Sequence, residues 1–142
     1  MVTKDERVER LRSIPLFMAC NDKQLQFIAT RVEDLEFKAG RVLCEQGKSG
    51  GEFFIVLSGE ADVQRDGRSV DTVKPGDHFG EIALIDDGPR TATVVAKTPL
   101  RCLVLSPRQF QDVLHQDAEI AVHILRDVTK RLRKAVSTLP AD

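Results

Sequence analysis

The chain lacks a charge imbalance: 21 Lys and Arg face 22 Asp and Glu, for a net charge of −1. Nothing in that balance draws it to nucleic acid or to an acidic membrane surface. It also lacks any apolar run near the roughly 18 residues that mark a transmembrane helix. The N-terminus, MVTKDERVERLRS, is too charged to hold the apolar centre of a secretion signal. Cysteine is scarce. Cys20, Cys44 and Cys102 are an odd, widely spaced set in apolar contexts, which argues against a disulfide framework and reads as reduced, mostly buried thiols in a cytoplasmic protein. Histidine is scarce too. Of His78, His115 and His123, the last two fall in helical segments, so a metal site, which wants several ligands converging, has little to build on. No histidine sits in a triad-like context, and Ser58 and Ser106 fall at turn and cap positions, so hydrolytic chemistry is no better supported and no catalytic residue is expected.

What is present is an ordinary globular composition. At 142 residues, with 42% apolar and 30% charged, the chain is long enough for one domain with a single sizeable core. Lys4 to Ser13 reads as a short charged helix with Val8 and Leu11 on one face. Pro15 breaks it by disfavouring the helical conformation at Ile14. Asn21 or Asp22 can cap a second helix, whose apolar stripe is Leu25, Ile28, Ala29 and Val32. From Asp34 to Leu105 the texture changes to short segments punctuated by glycine. Strands are expected at 35–38, 41–45, 52–57, 61–64 and 69–73, near His78, at 94–96 and at 103–105, with Asp66-Gly67 as a hairpin turn. Eight strands at short, regular spacing predict an all-β sandwich or barrel. After Leu105 the helical period returns, with Ser106 as cap, Pro107 in the first turn and Phe110, Val113 and Leu114 facing inward. His115-Gln116-Asp117 interrupts, and a longer helix runs to about Val136.

Within this frame the segment FGEIALIDDGPRTATVVA, residues 79–96, carries the chemistry. Gly80 removes a side chain where a backbone must come close to something. Glu81 offers a carboxylate that can accept hydrogen bonds from a sugar hydroxyl. Ile82, Ala83 and Leu84 can form one helical turn whose free N–H groups favour an anion. Arg90, nine residues after Glu81, supplies a planar fork of donors suited to a phosphate oxygen. Pro89 fixes the chain just before it. The competing reading is a surface ion pair between Glu81 and Arg90, which usually stabilises by about 0–1 kcal/mol. Asp86 and Asp87 would repel a phosphate unless they point to solvent, as the Asp87-Gly88 turn suggests.

This segment resembles the phosphate-binding cassette of the cyclic nucleotide-binding domain family, roughly FGE-x-x-L, a spacer, then R-x-A. The glycine pattern of the family also matches along the chain, at Gly40, Leu43, Gly47, Phe54, Ile55, Gly59, Gly76 and Gly80, so the resemblance spans about residues 12–135. It implies a mainly β fold with flanking helices, an eight-stranded antiparallel β-roll of jelly-roll or cupin-like type. The single domain would run over 1–136, with N-terminal helices in 1–33, the roll in 34–105 carrying the cassette at 79–92, two C-terminal helices in 106–136, and a tail at 137–142. Residue by residue, Glu81 would take the ribose 2′-hydroxyl, and Gly80, Ile82 and Ala83 would offer backbone groups to sugar and phosphate. Arg90 would hold an exocyclic phosphate oxygen, and Thr91 would add its hydroxyl or N–H. Phe79, Leu84, Ala92 and Arg131 are further candidate contacts. The implied ligand is cyclic AMP or cyclic GMP, with no other cofactor and no metal. Thr91 fits either base, and cyclic AMP is preferred on a composition that looks bacterial.

The long helix carries Ala121, Leu125, Val128, Leu132 and Ala135 at 4-3-4-3 spacing, a candidate homodimer seam, widened by Ile120, Ile124 and Val136. The same stripe can instead pack on the roll. Arg126, Thr129, Arg131 and Arg133 are candidates for touching the base or a partner, although basic residues late in a helix also suit its dipole. No recognition helix is visible, so direct reading of nucleic acid is not expected. The expectation is a regulatory module without enzymatic activity, either standing alone and acting on a partner protein or belonging to something longer. The rival readings are a degenerate roll that binds proteins but no nucleotide, and a cupin-type metalloenzyme.

Overall fold

The computed structural model describes residues 3–80, 84 and 88–140. Three helical pieces come first. Thr3 caps α1 (Lys4–Arg12) by accepting from the Glu6 amide at 3.1 Å. Ile14 is extended, as the following proline demands, and Pro15–Phe17 forms a 3-10 turn. Asn21 caps α2 (Asp22–Ala29) in a reciprocal capping box with Gln24. The expected stripe is all buried: Leu25, Ile28 and Ala29 on the helix and Val32 just after it.

Eight strands follow: β1 (Glu33–Phe37), β2 (Val42–Cys44), β3 (Phe53–Ser58), β4 (Ala61–Arg65), β5 (Arg68–Val73), β6 (His78–Phe79), β7 (Thr93–Ala96) and β8 (Leu100–Leu105). They form two antiparallel four-stranded sheets, ordered β1-β8-β3-β6 and β2-β7-β4-β5. The β4–β5 hairpin turns at Asp66 and Gly67, both at positive φ, the backbone that an Asp-Gly pair is suited to adopt. Fold class and strand number are therefore as the sequence predicts.

Ser106 caps α3 (Pro107–Gln116) in a second capping box with Gln109. Asp117 ends α3 and caps α4 (Ala118–Ser137). The chain packs around two apolar clusters. One lies inside the roll and includes Phe54, Val56, Val94, Ala96, Leu100, Cys102 and Val104. The other lies under the helices and joins Leu11, Phe17, Leu25, Ile28, Phe110, Val113, Ile120 and Ile124 to Phe53, Ile55, Leu103 and Leu105. Alternate residues of β3 and β8 thus face different clusters. That is why residues 53–57 of β3 and 102–105 of β8 read as continuous apolar runs, while β5, with residues 68–71 exposed, does not.

Candidate functional site

Arg90 is the centre of the site. Its backbone is clamped to the loop before β3: its amide donates to the Lys48 carbonyl at 3.0 Å, and its carbonyl accepts from the Gly47 amide at 2.9 Å. Ser49 and Pro89 form an isolated antiparallel bridge beside them. The extended backbone that Pro89 helps to fix is thereby held in register with a second segment. The side chain turns inward, and Arg90 is only 8% exposed. Its Nη2 donates to the Glu52 carbonyl at 2.6 Å, while the Glu52 carboxylate stands 3.8 Å from the same nitrogen. Nε is buried and has no hydrogen-bond partner among the described residues. A buried guanidinium N–H without an acceptor is costly, so its presence points to an acceptor supplied from outside. Arg90 is thus not a surface residue, and its pairing with Glu81 falls outside the described residues.

Gly80 explains how the guanidinium fits. It follows β6 at φ +92°, and a Cβ there would stand 2.6 Å from Arg90 Nη1 and 2.5 Å from the Glu52 carbonyl oxygen. Only glycine leaves room for that seat. Phe79, one residue earlier, stacks on Phe54 at 4.7 Å between ring centroids and belongs to the cluster inside the roll. His78 lies on β6, where a strand was expected, and its ring packs against Phe53. Leu84 is buried in the other cluster and borders a groove of about 200 Å³ with Phe110, Leu114, Ile124 and Val128. It reaches the C-terminal helices rather than the guanidinium side.

Thr91 is exposed, and its carbonyl accepts from Arg65 Nε at 3.3 Å. The Ala92 carbonyl lies 3.6 Å from Cys44 Sγ. Burial pushes the Cys44 thiol up, and the nearby Arg90 charge offsets part of that rise. Burial also pushes Cys20 up to about 11 and Cys102 up to about 12. These three thiols are free, and the upward shift keeps them protonated and poorly nucleophilic near neutral pH. Arg131 pairs with Asp127 at 3.1 Å along α4. Glu81, Ile82 and Ala83, with Asp86 and Asp87 of the spacer, lie outside the described residues.

The residue that the sequence reading missed is Glu52. Its carbonyl orients Arg90, and a backbone carbonyl carries no residue-type signal. The hint was positional: Glu52 opens the apolar strand directly after Gly50-Gly51. The residues of the predicted seam divide between two faces of α4. Ile120 and Ile124 are buried against the core, with Val128 packed on it. Leu125 and Leu132 are exposed at 65% and 63%, in one stripe with Val122 and Val136. The face left open is therefore centred one position round from the predicted seam, and Val128 belongs to the buried side.

The chain is thus a two-sheet antiparallel roll flanked by helices, with a buried arginine seated against a glycine-opened turn. The cyclic nucleotide-binding domain model matches residues 34–117, more than half of the chain, and the chain belongs to that family. The cAMP-dependent protein kinase regulatory subunit of Yarrowia lipolytica is 37% identical over 106 residues, which cover 73% of this chain and 28% of that protein. This chain thus spans little more than a quarter of that relative. Among solved structures, the N-terminal domain of a transcriptional regulator from Streptomyces coelicolor A3(2) superposes with a TM-score of 0.83 at 33% identity, covering 94% of this chain and 99% of that one. Thermus thermophilus Catabolite Activator Protein gives 0.69 at 25% identity, covering 86% and 60%. Among the described residues, no helix is long and apolar enough to cross a membrane.

Proposed function

We propose that this domain is a cyclic nucleotide sensor in which Arg90 receives the cyclic phosphate. The observation that carries this reading is the buried Arg90 Nε, aimed inward without an acceptor. Gly80 and the cassette residues Glu81, Ile82 and Ala83 complete the site, with Glu81 on the ribose hydroxyl and Thr91 at the phosphate edge. Cyclic AMP is the preferred ligand over cyclic GMP. The support is that the fungal relatives, at 35–37% identity, are cAMP-dependent protein kinase regulatory subunits. Calorimetric titration with each nucleotide tests this. Micromolar or tighter binding of cyclic AMP, with cyclic GMP at least about tenfold weaker, is the expected outcome, a difference of about 1.4 kcal/mol. Equal affinities would remove the base preference, and no binding of either would remove the sensor.

Occupancy reaches the output through Leu84. It joins the cassette to the cluster that contains Phe110 and Ile124, so a cassette that tightens on the phosphate shifts the population of α3 and α4 positions. The output surface is the open stripe of α4, docked on a second copy of this chain. Val122, Leu125, Thr129, Leu132 and Val136 follow a 3-4-3-4 spacing, with the valines at one heptad position and the leucines at the other, a pattern suited to a parallel two-stranded seam. Leu125→Glu combined with Leu132→Glu is expected to weaken self-association by at least about tenfold in sedimentation equilibrium, since two apolar side chains are lost from the seam and two carboxylates would have to be desolvated in their place. A wild-type protein that stays monomeric at about 100 μM, a regime of weak association, would sink the seam.

A further inference from the structure

We propose that the Glu52 carboxylate is a charge filter, admitting the singly charged cyclic phosphodiester and disfavouring doubly charged phosphomonoesters at Arg90. The inference rests on the phosphate site proposed above and names what that site rejects. Glu52 makes two separate approaches to the same nitrogen. Its carbonyl accepts from Arg90 Nη2 at 2.6 Å and is enough to orient the guanidinium. Its carboxylate, at 3.8 Å, is too far for a hydrogen bond and acts only through its charge. That side chain is 48% exposed, whereas the arginine side chain beside it is 6% exposed. A negative charge therefore stands at the open edge of a buried cationic seat.

Any anion that takes the unpartnered Arg90 Nε must come close to this carboxylate. The repulsion grows with the charge of the incoming group and is weakened, not abolished, by solvent. A cyclic phosphodiester carries one negative charge. A nucleoside monophosphate carries nearly two at neutral pH, because its second ionisation lies near 6. The seat thus penalises the hydrolysed product more than the cyclic ligand, which is the discrimination a sensor requires once its signal is degraded.

Glu52→Gln removes the charge and keeps both the shape and the orienting carbonyl. Wild type and variant are titrated with cyclic AMP, and 5′-AMP is measured in each by competition against it. The expected result is a gain for 5′-AMP about three- to tenfold larger than the gain for cyclic AMP, with the difference shrinking as salt rises. A role in merely positioning Arg90 would change both ligands by the same factor, and that outcome overturns the filter. So does 5′-AMP that fails to compete on either protein. Failure of both proteins to bind cyclic AMP would instead overturn the site itself, separating the two readings. Circular dichroism of the variant confirms the fold.

Discussion

Replacing Arg90 with alanine is expected to weaken cyclic AMP binding about 100-fold in calorimetric titration, with the fold retained. A 100-fold loss is about 2.7 kcal/mol, which lies near the upper end of the about 1.5–3 kcal/mol that one charge-assisted hydrogen bond shielded from water contributes. The surrounding structure explains why the fold should survive. Arg90 is tied to Lys48 and Gly47 through its backbone, and those bonds do not depend on the side chain. The Glu52 carbonyl loses its donor, but Glu52 is exposed and water can replace it. Arg90→Lys keeps the charge without the planar fork and is expected to fall between wild type and alanine. A folded Arg90→Ala protein with unchanged affinity would remove Arg90 from the site.

Gly59→Ala is expected to be the most damaging small change in the roll, lowering Tm by roughly 6–12 °C. The residue sits after β3 at φ +83°, and its missing Cβ faces the Pro99 carbonyl oxygen, Thr98 Oγ1 and the Leu100 Cα. Two turns are laced together there: Glu60 accepts from the Lys97 amide at 2.9 Å and donates its own amide to Thr98 Oγ1 at 3.0 Å. A left-handed alanine costs about 1–2 kcal/mol and forced overpacking about 1–3 kcal/mol more. A total near 3 kcal/mol converts to that Tm change for a domain of this size. Gly40→Ala is the control, since Gly40 has φ +90° with nothing near its absent Cβ. Its loss should be confined to the first of those two costs. Equal losses at the two positions in thermal unfolding would show that the clash contributes nothing.

Local rules were legible in the sequence wherever the deciding contact is short in chain distance. The Asn21 and Ser106 caps, the Pro15 break and the Asp66-Gly67 turn are all fixed within about four residues. The strands were legible because glycine and proline bracket them. The open face of α4 was not, because that helix carries two overlapping apolar stripes. Ile120, Ile124 and Val128 make one, and Val122, Leu125, Leu132 and Val136 the other. Periodicity finds both and cannot say which meets the roll, since docking in space decides it. At the site, Arg90 and Gly80 were legible from residue type. Their depth was not: only the folded chain shows that the arginine is buried and that Gly80 makes room for it. Glu52 was invisible because its orienting group is main chain.

The shared wall between the two apolar clusters has an evolutionary consequence. Along β3 and β8, Phe54, Val56, Cys102 and Val104 furnish the chamber inside the roll, whereas Phe53, Ile55, Leu103 and Leu105 furnish the seat of the helices. Neighbouring codons thus write to different compartments. A lineage can reshape the output side by drifting at the odd-numbered positions while the even-numbered ones hold the receptor interior unchanged. One scaffold can in this way be coupled to many effectors without redesigning its interior.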